Sequence, residues 1–232
     1  MTSTQLLTGA VAVVASYLVG AVPFGYVVAR LKGIDIRKHG SGNIGATNVG
    51  RVLGRNWGFL VFGLDVLKGL LPVALTGLLV HDPQAGQSPG PLLVQVSAAA
   101  AAVAGHMFPV YLGFSGGKGV ATSLGALLGI YPYFTWPGLA AFVLWMAVTG
   151  VSKYVSLGSI VAAGAFPIMF AAVVALQGGR WGTTARLWPL YVFSALVAGL
   201  VVWRHRGNIR RLREGTENRI GSKAAAVEGR HT

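Results

Sequence analysis

The sequence predicts an all-α integral membrane protein of about seven transmembrane helices, with the N-terminus outside and the C-terminus cytoplasmic. Three observations predict it. The 232 residues are 53% hydrophobic and 11% charged, whereas a soluble domain carries about 25% charged residues. The apolar residues fall into long uninterrupted stretches, and a bilayer-spanning helix needs roughly 20 such residues. The basic residues collect in alternate connections, as cytoplasmic loops do.

Seven apolar segments can be marked, at about 5–30, 58–80, 92–112, 120–134, 136–150, 155–177 and 187–203. The first is too long for a signal-peptide core and has no basic residue before it, so it reads as a retained span. The fourth and fifth are short. They are joined by Tyr131-Pro132-Tyr133-Phe134-Thr135-Trp136-Pro137, whose aromatics suit a membrane interface and whose prolines suit a turn. They are either tilted spans or a re-entrant pair, and full spans are preferred. Residues 1–220 form one transmembrane domain on this reading, with 221–232 as a disordered cytoplasmic tail.

Orientation follows from the basic residues. Six lie between 30 and 57, Lys118 and Lys153 lie in short connections, and eight follow from Arg204 onward. Seven spans put all of these on one face and leave Arg180 and Arg186 on the other, so the crowded face is cytoplasmic. The net charge of +13 is then a matter of topology and anionic headgroups rather than of nucleic acid. Cysteine is absent and acidic residues number six, which rules out a thiol nucleophile and argues against a carboxylate metal site. No metal and no cofactor are expected.

The polar, glycine-rich stretches share that same face. The first is Gly40-Ser41-Gly42-Asn43-Ile44-Gly45-Ala46-Thr47-Asn48-Val49-Gly50-Arg51. It matches G-x-G-x-x-G, but a membrane helix precedes it where a dinucleotide fold needs a strand. The physics that remains is anion binding by converging backbone N–H groups, helped by Ser41, Asn43, Thr47, Asn48 and the Arg51 guanidinium. The second stretch, Gly105-His106-Met107-Phe108-Pro109 followed by Gly116-Gly117-Lys118-Gly119, reads as an anion cradle with one point charge. His106 itself is expected to be a packing residue. The third, Ser152 to Ser159, carries Ser156 and Ser159 on one helical face. In the fourth, His205 and Asn208 share a face at i, i+3 among arginines that suit a lipid-anchoring role. Asp65 and Lys68 lie within the second span, where ionisable groups need partners, and they are expected to pair with each other.

In this order and spacing, the stretches 40–48, 105–122, 153–159 and His205-x-x-Asn208 resemble the bacterial acyl-phosphate:glycerol-3-phosphate acyltransferase family, over about residues 10–220. The resemblance implies seven spans and an active site facing the cytoplasm in the bacterial inner membrane. It also implies transfer of a fatty acyl group from acyl phosphate to the sn-1 hydroxyl of glycerol 3-phosphate, giving lysophosphatidic acid and phosphate as the first acylation of phospholipid synthesis. By resemblance, Ser41, Lys118, His205 and Asn208 are catalytic. Gly40, Gly42, Asn43, Gly45, Thr47, Asn48, Arg51, Gly116, Gly117, Gly119 and one of Ser156 and Ser159 contact substrate. The expected partners are the two substrates and membrane lipid, with a monomer as the default. The family often carries Glu where this chain has Gly207, which puts any role of that Glu in doubt here.

None of the five histidines is followed five residues later by Asp, so the His–Asp dyad of other glycerolipid acyltransferases is absent. An acyl phosphate is already activated, and its own oxygens can take the proton of the attacking hydroxyl. The expected mechanism is therefore substrate-assisted, without a covalent intermediate; Ser41 as nucleophile and His205 as general base are the competing versions. The competing class is a transporter or channel for a small organic anion, which the intramembrane Asp65 and Lys68 would also suit. Against it stand the one-sided distribution of the motifs and the lack of an internal repeat.

Overall fold

A computed structural model describes residues 2–81 and 86–221, and every regular element among them is helical. The expected tail at 221–232 lies almost wholly outside the described residues. Ten α-helices follow in order: α1 (Ser3–Ala21), α2 (Phe24–Leu31), α3 (Ala46–Leu53), α4 (Arg55–Leu79), α5 (Gly90–Met107), α6 (Val120–Gly129), α7 (Thr135–Ser152), α8 (Val155–Leu176), α9 (Thr184–Arg204) and α10 (Arg206–Arg213). Among the described residues, six stretches are long and apolar enough to cross a bilayer: Ser3–Leu31, Arg55–Leu79, Gly90–Leu112, Thr135–Ser152, Val155–Leu176 and Thr184–Arg204. The chain is a multi-pass membrane protein.

Two expected segments take a different form. The first is broken at Val22-Pro23, where proline removes an amide donor and restricts the residue before it. The fourth, expected over 120–134, is helical only to Gly129, because the Tyr131-Pro132 pair stops it. Ten residues of α-helix rise about 15 Å, half the hydrocarbon thickness. The turn after α6 nevertheless reaches the level of the α8–α9 connection: Tyr133 meets Trp181 edge-on at 5.3 Å.

The helices pack α1 on α5, α4 on α6, α7 on α8 and α8 on α9. The first two contacts use small residues to bring backbones together, as membrane helices do in the absence of a hydrophobic driving force. A Cβ on Gly20 would lie inside the Ala102 backbone, and one on Gly125 inside that of Val66. The largest core is aromatic. Phe134 sits fully buried against Phe166, Phe170 and Phe193 at centroid distances of 5.1, 4.7 and 6.0 Å. The outer surface is apolar along its rows, with Leu6, Leu7, Val11 and Val14 on α1, Leu67, Leu71, Leu75 and Leu78 on α4, and Ile168 and Leu176 on α8 exposed. In water such a surface would aggregate; against lipid it is the solvated state.

Candidate active site

The break at Pro23 frees the carbonyl of Val22, and a buried cation takes it. Lys68 Nζ donates to Val22 O at 2.7 Å and lies 2.8 Å from Asp65 Oδ1. Both side chains are at most 3% exposed. His106 Nδ1 is 3.6 Å from the same Asp65 oxygen. The expected Asp65–Lys68 pair is therefore present, and it extends to a third group. His106 packs against the glycine loop: its carbonyl accepts from Gly117 N at 3.1 Å, and its ring lies so close to Gly117 that a Cβ there would overlap Nε2.

From the other side the same loop is held by Arg204. Its guanidinium donates to Gly116 O at 2.8 Å and to Gly117 O at 3.1 and 2.6 Å. With its carbonyls occupied and its backbone pressed against His106, the loop projects Lys118 toward the start of α10. Lys118 Nζ donates to Asn208 Oδ1 at 2.5 Å. Burial brings the Lys118 ammonium down to about 8, and the nearby Arg211, Arg204 and Arg51 charges add to that effect while Glu217 opposes it.

These groups border a cleft of about 550 Å³ lined by Ser41, Asn43, Lys118, Arg204, Arg206, Gly207, Asn208, Arg210 and Arg211. Three helices start beside it: α3 just after Ser41 and Asn43, α6 just after Lys118, and α10 at Arg206. Free N–H groups and the positive helix ends favour an anion there, and five cationic side chains line the wall. His205, 2% exposed, donates Nδ1–H to Val201 O at 2.8 Å, which leaves Nε2 without a proton. Burial and the Lys118 charge push its pKa down to about 4, so the ring is neutral near pH 7 and a weak base. A separate apolar groove, bordered by Phe62, Val120, Leu124, Phe142, Phe166 and Val201, runs between α4, α6, α7, α8 and α9.

The glycerol-3-phosphate acyltransferase family model matches residues 10–215. The chain belongs to that family. This acyltransferase is similar to the glycerol-3-phosphate acyltransferases of Desulforamulus reducens, at 43% identity with 94% of this chain and 98% of the relative covered, and of Synechococcus sp., at 46% with 94% and 98% covered. Among solved structures, it is similar to PlsY, an integral membrane glycerol 3-phosphate acyltransferase. The glycerol 3-phosphate form matches with a TM-score of 0.76, 38% identity, and 92% and 96% of the two chains covered. The lysophosphatidic acid form matches with a TM-score of 0.76 and 36% identity, covering 93% and 97%.

The acyltransferase's candidate residues do not all stand in the cleft. Asn48 does not line it. It is 2% exposed, and its amide is spent on the loop itself: Oδ1 accepts from Ser41 N at 2.8 Å, and Nδ2 donates to His39 O at 3.0 Å and Asn43 O at 2.9 Å. Asn48 shapes the 40–45 loop. Gly40, at φ +59°, is required there because a Cβ would strike Asn48 Oδ1. Gly42 and Gly45 belong to the same turn, Gly45 N donating to Asn43 Oδ1 at 2.8 Å. Thr47 and Arg51 sit on α3 outside the cleft wall, Thr47 exposed. Gly116 and Gly117 form the braced loop, and Gly119 caps α6 with φ +79°.

The two serines separate. Ser159 Oγ donates to Val155 O at 2.8 Å and accepts from Trp145 Nε1 at 3.1 Å, and it borders the apolar groove. Ser156 Oγ turns to the polar side and donates to Glu217 Oε1 at 2.9 Å. Glu217 and Arg204 are functional candidates that the sequence reading missed. Arg204 was visible within the last motif, but an arginine at a span's end looks like a lipid anchor. Glu217 carried one signal, a carboxylate inside a strongly basic segment.

Proposed function

We propose that this membrane acyltransferase moves a fatty acyl group from acyl phosphate to the sn-1 hydroxyl of glycerol 3-phosphate, releasing phosphate and lysophosphatidic acid. The observation that carries this reading is the meeting of three helix starts and the Lys118–Asn208 pair at one electropositive cleft, with an apolar groove that begins at Val120, two residues from Lys118. Two phosphate-bearing substrates need such a cleft, and an acyl chain needs such a groove. The Ser41 and Asn43 side chains would hold the donor phosphate, on a loop whose Ser41, Gly42 and Gly45 amides are already bonded within it. Lys118, Asn208 and His205, with the cleft arginines and Arg51 nearby, would bind glycerol 3-phosphate.

Chemistry then needs little from the side chains. The glycerol hydroxyl oxygen bonds to the acyl carbon, the acyl carbon–oxygen bond to phosphate breaks, and the departing phosphate carries the hydroxyl proton. The phosphate oxygens gain basicity as the mixed anhydride breaks and phosphate leaves, whereas the His205 ring, at about 4, is a weak base. Catalysis comes from positioning and from cations set around the developing oxyanion.

The reading extends to topology. If the α6 segment with its turn completes a seventh crossing, the cleft and the basic connections share the cytoplasmic face of the inner membrane. The N-terminus then lies outside. The intramembrane ions are paired with each other, Lys68 with Asp65 and with the Val22 carbonyl, beneath the glycine loop.

The test is phosphate release by the purified protein from palmitoyl phosphate. Release that requires glycerol 3-phosphate and yields lysophosphatidic acid supports transfer. An acyl-enzyme trapped on Ser41, or a pH–rate profile set by one histidine and abolished in His205→Ala, would overturn the substrate-assisted mechanism.

A further inference from the structure

After α10 the chain turns back across the α7–α8 corner. Ile220 N donates to Lys153 O at 2.8 Å, and Arg219 Nε donates to Tyr154 Oη at 2.9 Å. This return places Glu217 behind the cleft with its side chain 7% exposed. Three donors converge on its carboxylate: Ser156 Oγ at 2.9 Å and Asn208 Nδ2 at 2.6 Å on Oε1, and Arg211 Nε at 2.7 Å on Oε2. Glu217 does not line the cleft, which stands open with the carboxylate in place.

An asparagine amide has a donor end and an acceptor end. With Nδ2 given to Glu217, Asn208 must present Oδ1 to Lys118, and the observed 2.5 Å bond is the result. The Lys118 ammonium, a donor only, favours the same end, and the carboxylate holds the amide in that orientation from the other side. The same carboxylate holds the α8 start through Ser156 and steadies Arg211 on the cleft wall. We infer that Glu217 is a positioning residue of this acyltransferase, orienting Asn208, and through it Lys118, for the phosphate of glycerol 3-phosphate. The inference rests on the site reading proposed above. Its electrostatic side agrees: Lys118 faces Glu217 from the returning strand, and Arg51, Arg204 and Arg211 from α3, α9 and α10, so Glu217 is the carboxylate that favours its charged form.

The experiment compares Glu217→Ala, Glu217→Gln, Arg219→Ala, Asn208→Ala and Lys118→Ala as purified proteins with palmitoyl phosphate and glycerol 3-phosphate. A hydrogen bond to a charged group is worth about 1.5–3 kcal/mol, or roughly 10- to 100-fold. Glu217→Ala should therefore lower kcat/KM for glycerol 3-phosphate by about that factor. Glu217→Gln keeps an acceptor for Ser156 and Asn208 and should recover most of the activity at pH 7. Both variants lose the charge that supports the Lys118 ammonium, so in both the alkaline fall in activity should begin at lower pH than in the parent. Arg219→Ala loosens the returning strand without touching the carboxylate and should keep parental kinetics.

An unchanged alkaline limb in Glu217→Gln overturns the inference, and this variant decides the matter if Glu217→Ala fails to fold. A loss in Arg219→Ala equal to that in Glu217→Ala also overturns it, because the strand rather than the carboxylate would then matter. Parental activity in Asn208→Ala and Lys118→Ala would instead overturn the site reading. If those two are impaired and Glu217→Ala is not, only the role of Glu217 falls.

Discussion

Lys118 puts a charge on a mostly buried stem, and the surroundings bring it down to about 8. If its cation binds phosphate, activity falls as pH rises through that value, because the folded protein loses the charge well below the ordinary lysine range. Lys118→Arg keeps its charge far above this range, so the residual activity of that variant should show no decline near pH 8. Lys118→Ala should lower kcat/KM for glycerol 3-phosphate by roughly 10- to 100-fold, the cost of one hydrogen bond to a charged group. Steady-state rates from pH 6 to 10 check both. Asp65 and Lys68 invite a different test. Asp65→Asn alone leaves an uncompensated cation among the helices and should cost about 3–5 kcal/mol. Asp65→Asn with Lys68→Met removes both charges and should recover much of that loss, as thermal unfolding in detergent will report.

At the scale of elements, the site is a product of helix starts and close backbone approaches. α6 comes near enough to α4 that a Cβ on Gly125 would overlap the Val66 carbonyl. Gly125→Leu must therefore push the helices apart or fail to pack. Overpacking of a close-packed interior costs about 1–3 kcal/mol or more, so the variant should show a lowered unfolding midpoint or no folded protein. Since α6 begins immediately after Lys118, the folded fraction should also lose affinity for glycerol 3-phosphate, seen as a raised KM. The groove between α4, α6, α7, α8 and α9 was not readable as such. Its residues are ordinary apolar positions on five separate helices, and only the packing shows which of them face one another.

At the scale of the whole molecule, the prediction concerns sidedness. The chain has no cysteine, so any introduced thiol is a unique label. Gly207→Cys and Ser41→Cys in intact bacterial cells should resist a membrane-impermeant maleimide until the membrane is opened. Gln177→Cys, in the α8–α9 connection beside the Tyr133–Trp181 contact, should react from outside. Equal labelling of Gln177→Cys and Ser41→Cys from one side would rule out the seven-crossing topology.

The membrane class, most span positions and the four polar stretches were legible in the chain because they rest on local quantities: runs of apolar residues, clusters of glycine and the placement of charge. A bilayer enforces these locally, since each span must satisfy its own backbone hydrogen bonds within itself. Tertiary structure decided which side chains share a site. Ser156 and Ser159 are equivalent by spacing, yet a carboxylate 61 residues away from Ser156 engages one of them and Trp145 the other. Asn48 looked like a ligand and proved to be bound within its own loop, while Arg204 looked like an anchor and proved to brace the glycine loop. Contacts between distant parts of a chain depend on how the helices pack, and no window along the sequence contains that information.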